Sequence, residues 1–243
     1  MRTMAPIFLG ISAVLAGCET PYQMSSPNHY GYTDRKLADG AYWITSEVNL
    51  ETPRGKAMDY WMTRARELCA GAEFQSSVHQ TKHATYGQTP FVEGIARCSG
   101  STAQLATVKD LVMLDGPSKA LVFYVDHVND LSIDNSLDAT MLSTAGKGMN
   151  VVSTRLERSV LAEGELLLTL RAKVFYAAPI LDMVNFGKHY EAGSSLRFVP
   201  KADGVYVVSG RLGESGSKVW LEDEKTGEEV GTLEPLAAGS AGK

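Results

Sequence analysis

Basic charge and long apolar runs are both scarce in this sequence of 243 residues. Past the amino-terminal segment, no apolar run approaches the roughly 20 residues that a transmembrane helix needs. The 23 Lys and Arg residues are outnumbered by 28 Asp and Glu, and the formal net charge is −5. Such a chain has no electrostatic attraction for a phosphate backbone. We therefore expect no nucleic-acid partner.

Sequence signatures of catalysis are also missing. The serine-hydrolase pattern G-x-S-x-G does not occur, and the nearest stretch, residues 213–217, lacks the final glycine. Residues 145–149 lack the full phosphate-loop pattern and are interpreted as a turn. We predict no catalytic residues, no cofactor and no enzymatic activity.

Two groups of metal-ligating side chains are better explained without a metal. His79 and His83 would face one another on a helix, but the surrounding alternation indicates a strand, on which they would stand about 13 Å apart. An acidic stretch lacks the glycine and the alternating oxygens of a calcium loop. Its members are Asp126, Asn129, Asp130, Asp134, Asn135 and Asp138. We predict no metal site.

Cysteine is rare, and the first of the three residues carries the most specific signal. Cys18 follows residues 15–17 (LAG), at the end of a short apolar segment that opens with the positive charge of Arg2. This order of features is typical of a secretory signal peptide. Cys18 also resembles the acylated cysteine of bacterial lipoproteins. We predict a lipoprotein signal peptide at residues 1–17 and lipid attachment at Cys18. The alternatives are an ordinary secretory signal whose cleavage site contains a cysteine and a short buried apolar segment.

Such an anchor would hold the protein on a cell-envelope membrane, facing the periplasm, and we favour the outer membrane. Cys69 and Cys98 then remain as an even pair in an exported chain, where oxidation is the default. We predict a disulfide between them, whose loop of about 30 residues is worth roughly 3–4 kcal/mol. The alternative is two unrelated buried thiols.

The pattern of apolar and turn residues predicts an α+β fold with two domains. After a tether at 18–29, residues 30–100 are expected to form a small β-α-β-β domain, whose helix starts with Thr52 as N-cap and Pro53 at the first position. Trp61 lies on the apolar stripe of that helix and is predicted to pack in the core. The later boundaries are 101–117 for a linker, 118–235 for an antiparallel β-sandwich and 236–243 for a disordered tail. Strands are expected at 42–48, 74–85, 91–98, 120–125, 151–156, 165–175, 194–199, 205–211, 218–222 and 228–233.

Short segments in both domains carry a family resemblance. Residues 31–34 (GYTD), 42–44 (YWI) and 64–69 (RARELC) resemble the small domain of many uncharacterised proteobacterial lipoproteins. Segments in the second half, at 118–124, 162–166 and 204–208, resemble a transthyretin-like β-sandwich domain that is also common in bacterial lipoproteins. The resemblance implies a fold and a location, and it carries no functional residues.

Tyr206 and Trp220 are the candidate binding residues. They lie on strands predicted to be antiparallel neighbours, and their alternation places them on one face, opposite the aliphatic residues Val205, Val207, Val219 and Leu221. With the aliphatic face inside, the two aromatic rings would form an exposed patch of the kind that binds a partner. With that face outside, they would be core residues.

The sequence as a whole favours a lipid-anchored cell-envelope protein with a non-catalytic binding or structural role and an envelope protein as its partner. Two alternatives stay open. A periplasmic hydrolase of envelope polymers would need a pair of carboxylates in a cleft between the domains. A small-ligand-binding lipoprotein would instead have an apolar pocket there.

Overall fold

The computed structural model of the chain describes residues 19–53, 55–82, 89–129, 131–162, 164–178, 180–181 and 190–234. The predicted signal peptide, Cys18, His83 and the tail at 236–243 lie outside the described residues. The helices whose two ends both lie among the described residues are α1 (Lys56–Leu68) and α2 (Ser136–Thr144). The strands are β1 (Gly31–Ala38), β2 (Ala41–Glu47), β3 (Phe74–Lys82), β4 (Phe91–Cys98), β5 (Leu105–Lys109), β6 (Leu111–Leu114), β7 (Lys119–Val128), β8 (Leu131–Ser132), β9 (Glu157–Leu161), β10 (Leu166–Tyr176), β11 (Glu191–Phe198), β12 (Val205–Arg211), β13 (Lys218–Asp223) and β14 (Thr232–Glu234). The fold is mostly β, with several antiparallel sheets, and is consistent with the predicted α+β class.

The N-terminal sheet has the antiparallel strand order β1-β2-β4-β3, and α1 packs on one face of it. Trp61 is fully buried in this core, as its place on the apolar stripe predicts, and its indole N–H donates to the carbonyl of Ile44 at 2.9 Å. The predicted helix start is wrong, because Gly55 in a left-handed conformation (φ 95°) is the N-cap. The Thr52 hydroxyl instead accepts the backbone N–H of Thr20 at 2.8 Å.

The predicted disulfide is confirmed. Cys69 at the end of α1 is bonded to Cys98 at the end of β4, with the two Cα atoms 5.3 Å apart. The bond therefore fixes the carboxyl end of the helix to the sheet that it covers.

The described part of the predicted tether, from residue 19 onward, is docked on the N-terminal sheet. Thr20 is 4% exposed, and the ring of Tyr22 lies 4.8 Å from that of Tyr32 and 5.4 Å from that of Tyr60. Backbone hydrogen bonds also join residues 23 and 25 to Tyr32. The expectation of a free tether is wrong, since aromatic packing and backbone pairing outweigh the turn-forming composition.

The remaining strands form two further sheets that enclose one core. The large sheet has the order β14-β11-β10-β7-β6, with β8 beside β7, and the small sheet has the order β13-β12-β5-β9. Side chains from both sheets meet in one apolar cluster, which includes Val108, Phe123 and Leu221. Residues 101–117, predicted as a linker, supply β5 and β6 to these sheets. The expectation of purely antiparallel pairing is also wrong, because β5 runs parallel to β12.

Helix α2 lies in a stretch for which the sequence pattern predicts no helix. Its side chains bind the segment 151–156 that is predicted as a strand: the Ser136 hydroxyl accepts the N–H of Leu156 at 2.8 Å, and the Thr140 hydroxyl accepts that of Thr154 at 3.1 Å. With its backbone bonded to the helix, this segment does not join a sheet. The strand begins at Glu157 instead.

Candidate ligand-binding site

A cavity of about 360 Å³ lies where the N-terminal sheet faces the other two sheets. Its walls are mainly apolar, and they include Leu37, Trp43, Ile95, Val160, Leu161 and Leu166. Three polar residues, Arg35, His79 and Asn129, also line it. A mostly apolar cavity of this size with a few polar groups is typical of small-molecule sites. Another depression, of about 280 Å³ beside the disulfide, has a largely polar lining that includes Glu73, Gln75 and Arg97.

His79 reaches the cavity because β3 is interrupted at this residue. Val78 pairs with Gly94 and Gln80 with Glu93, so His79 is an extra residue without a partner on β4. Such a β-bulge bends the strand and redirects a side chain. Gly94 permits the close approach, since a Cβ atom there would lie 2.3 Å from the carbonyl oxygen of Ser77.

The imidazole of His79 is almost fully buried, at 2% exposure, and is bonded on one side only. Its Nε2 lies 2.7 Å from the carbonyl oxygen of Ser159 on β9. A carbonyl can only accept, so Nε2 carries the proton and Nδ1 presents a lone pair. Nδ1 is buried without a hydrogen-bond partner in the described part of the chain. The ring of Trp43 meets the imidazole edge-on, with the centroids 5.0 Å apart.

Burial keeps this histidine uncharged. Loss of solvent lowers the pKa of His79 to about 4, and the positive charge of Arg158 acts in the same direction. The hydrogen bond to the Ser159 carbonyl opposes the change without cancelling it. The cavity therefore has a neutral imidazole in its wall at pH 7.

Backbone hydrogen bonds hold His79 between the N-terminal sheet and the rest of the fold. The N–H of Asp134 donates to the His79 carbonyl at 2.8 Å, and the Asp134 carboxylate accepts the N–H of Thr81 at 2.9 Å. The N–H of Ser159 donates to the hydroxyl of Ser77 at 2.9 Å. The bulge is thus bonded both to β9 and to the segment before α2.

A buried ion pair supports this junction. Arg158 donates two hydrogen bonds to the Asp110 carboxylate, at 2.8 and 2.9 Å, and a third, at 3.3 Å, to the carbonyl of Asp134. The same carboxylate accepts the backbone N–H groups of Val125 and Ser136. Buried charges are tolerated when they are paired and hydrogen-bonded in this way. We interpret the pair as a positioning element behind the cavity wall.

The charge of the cavity comes from Arg35. This residue is exposed on β1, and it is the one lining residue within the described ranges with a formal charge at pH 7. It makes no ion pair with any residue the structure describes. No described Asp or Glu lines the cavity, so the carboxylate pair of the hydrolase alternative is not found here.

The predicted aromatic surface of Tyr206 and Trp220 is not formed. The strands β12 and β13 are antiparallel neighbours as predicted, but Val208 lies opposite Leu221. Tyr206 and Val208 therefore share the inner face with Val219 and Leu221, and Tyr206 is 2% exposed. Trp220 lies on the outer face, half-buried, where its indole N–H donates to Glu222. The register between the strands separates the two rings.

Candidate metal ligands that lie among the described residues bind other groups of the protein, whereas Asp130 lies outside those residues. The Asp126 carboxylate binds Arg171 at 2.6 Å, and Asn135 caps α2 by accepting the N–H of Asp138 at 3.0 Å. No group of three or more His, Cys, Asp and Glu side chains suited to a metal was found among the residues described. The strand predicted around His79 is confirmed, whereas its partner His83 lies outside the described residues.

From the sequence, His79 is identified only as a candidate metal ligand, and Arg35 and Trp43 are not identified as cavity residues. The available signal is Gly94, a glycine inside an otherwise apolar strand pattern, which often marks a bulge or a close backbone approach.

None of the described helices has the length and apolar character needed to cross a bilayer. Comparisons with family models, with curated proteins and with solved structures find no match to this chain.

Proposed function

We propose that this protein is a cell-envelope lipoprotein that binds a small, mainly apolar molecule in the cavity lined by Trp43 and His79. The observation that carries the proposal is the cavity itself, whose 360 Å³ volume and largely apolar wall match small-molecule sites.

In this proposal the chain has two domains, and the ligand lies at their junction. The first is a small β-β-α-β-β domain, with β1 as a strand that the predicted β-α-β-β order lacks, and the second is a β-sandwich. The bulged β3 and the small sheet would then act as a rigid frame, since hydrogen bonds join Ser77, His79 and Thr81 to the second domain. A preformed site binds more tightly because less has to be ordered on binding. The role is binding, and Cys18 supplies the membrane anchor.

A small neutral fluorescent probe, 1-naphthylamine, tests the site. We expect the purified mature protein to bind it saturably and to unfold at a higher temperature in its presence, because a ligand of the folded state stabilises that state. Leu37→Trp places a larger side chain in the cavity wall and should abolish binding. Leu50→Trp is the matched control, since Leu50 is 52% exposed and lies outside the lining.

Two results would contradict the proposal. The first is an absence of saturable binding to the wild-type protein. The second is equal binding by the Leu37→Trp and wild-type proteins. Mass spectrometry of small molecules released from protein purified out of envelopes would identify the natural ligand.

A further inference from the structure

The floor of the cavity is a row of side chains that crosses the N-terminal sheet from its edge. Arg35 on the edge strand β1 is directly opposite Trp43 on β2, and Trp43 is directly opposite Ile95 on β4. Cross-strand partners share one face of a sheet and stand about 5 Å apart. The row therefore runs from an exposed cation to an aromatic ring and then to a buried aliphatic side chain.

This row gives the cavity one charged end and one apolar end. Arg35 is at the solvent side, whereas Ile95 is 3% and Val160 1% exposed. The neutral imidazole of His79 adds no second charge to the wall, and its pKa of about 4 keeps it uncharged at pH 7. A guanidinium presents several N–H donors in one plane and binds carboxylates with two parallel hydrogen bonds.

The volume sets the size of the molecule. A water molecule takes about 30 Å³ in the liquid, so 360 Å³ corresponds to about a dozen non-hydrogen atoms of that size. A saturated carboxylate of ten carbons, decanoate, has this number of atoms. Its chain would fill the apolar part while its carboxylate stays beside Arg35.

We propose that the ligand is an amphiphile with a single carboxylate, held with the carboxylate on Arg35 and the apolar part between Trp43, Ile95 and Val160. This inference rests on the proposed function, because it names the ligand class of the same cavity. Electrostatics then selects the ligand, since a neutral analogue of equal length would lose the contact with the guanidinium.

Calorimetric titration of the mature protein with decanoate and with decan-1-ol, both below their aggregation limits, tests the inference. We expect decanoate to bind about fivefold more tightly at low salt, a modest factor because Arg35 is exposed to solvent. Arg35→Gln should remove this difference by weakening decanoate alone. The matched control Arg211→Gln, which changes an exposed arginine on β12 outside the cavity, should retain the difference.

The outcomes separate this inference from the proposed function. Equal affinity of the wild-type protein for decanoate and decan-1-ol, or an undiminished preference in Arg35→Gln, would overturn the carboxylate assignment while leaving a cavity that binds apolar molecules. Failure of decanoate, decan-1-ol and 1-naphthylamine to bind would overturn both.

Discussion

His79 lies in a β-rich stretch whose alternation predicts a strand, and the strand is present. Gly94 signals a bulge or close approach, but it does not show that the bulge falls at His79, because that depends on Asp134 before α2 and on Ser159 in β9. Local pattern therefore fixes the secondary structure of His79 but not where its ring points. The same holds for Arg35, whose role depends on which strand lies opposite it.

The lowered pKa of His79 predicts a loss of stability in acid. The folded-state pKa of about 4 lies below the ordinary value of 6.5, so the unfolded chain binds the proton more readily between these values. The free energy of unfolding should therefore fall as the pH drops from about 6.5 towards 4, by about 3 kcal/mol in total. Urea unfolding at several pH values measures the change.

In His79→Gln, the part of this pH dependence of the free energy of unfolding that comes from His79 should be lost. Contributions from other titrating groups should remain as in the wild-type protein. His29→Gln, which changes an exposed histidine, should keep the wild-type slope. An unchanged slope in His79→Gln would rule out His79 as the source.

Removal of Arg158 leaves Asp110 as a buried, unpaired charge. We expect Arg158→Met to lower the free energy of unfolding by about 3–5 kcal/mol, because breaking one partner of a buried pair is costly. Arg171→Met serves for comparison, since its pair with Asp126 is more exposed (29% and 20%), and it should cost about 1 kcal/mol or less. If urea unfolding shows the same loss of free energy of unfolding for Arg158→Met and Arg171→Met, burial does not make the Asp110 pair more important for stability.

Among the elements, the boundaries of β4 and β12 follow from the sequence, whereas the register between paired strands does not. Alternation in 205–211 and 218–222 fixes which residues share a face within each strand, but a change of register by one residue exchanges the faces of one strand relative to the other. The sequence pattern places Tyr206 and Trp220 on one surface for this reason. Similarly, β5 and β6 are predicted as part of a linker, because short strands between turns have a linker-like sequence and are recognised only once their partner strands are known.

Tyr206→Ala and Trp220→Ala should differ in their effect on stability. Tyr206 packs edge-on against Phe198, with ring centroids 5.1 Å apart, so its truncation should cost about 3–5 kcal/mol. Trp220 is half-buried on the outer face, and Trp220→Ala should cost under about 1.5 kcal/mol. Thermal or urea unfolding of the two variants decides, and a reversed order would contradict the register of β12 and β13.

On the scale of the whole molecule, the sequence predicts the disulfide and the α+β class, but not the cavity. The disulfide follows from cysteine number and compartment, which need no knowledge of the fold. The cavity combines β1 to β4 with residues from β7, β9 and β10, and only the packing of separate sheets brings them together. The predicted membrane location likewise rests on a motif that precedes the described residues.

Lipid attachment at Cys18 is tested by Cys18→Ser in the native host. We expect the variant to carry no acyl label and to leave the membrane fraction, because the anchor depends on that thiol. Cys98→Ser is the control, since it removes the disulfide and should leave acylation intact. Full membrane retention of processed Cys18→Ser protein would contradict the proposed anchor.

If Cys18 carries the proposed lipid, the docking of the segment after residue 18 limits how far the protein can move from the bilayer surface. Twelve free residues would give the fold a reach of about 40 Å. Thr20, however, is hydrogen-bonded to Thr52 in the fold. The free linker from a lipid on Cys18 to the fold is therefore two residues, or about 7 Å, long. With that lipid in place, the N-terminal sheet would lie at the headgroup layer. The protein would then bind and release its proposed ligand at the membrane surface rather than in the bulk of the periplasm.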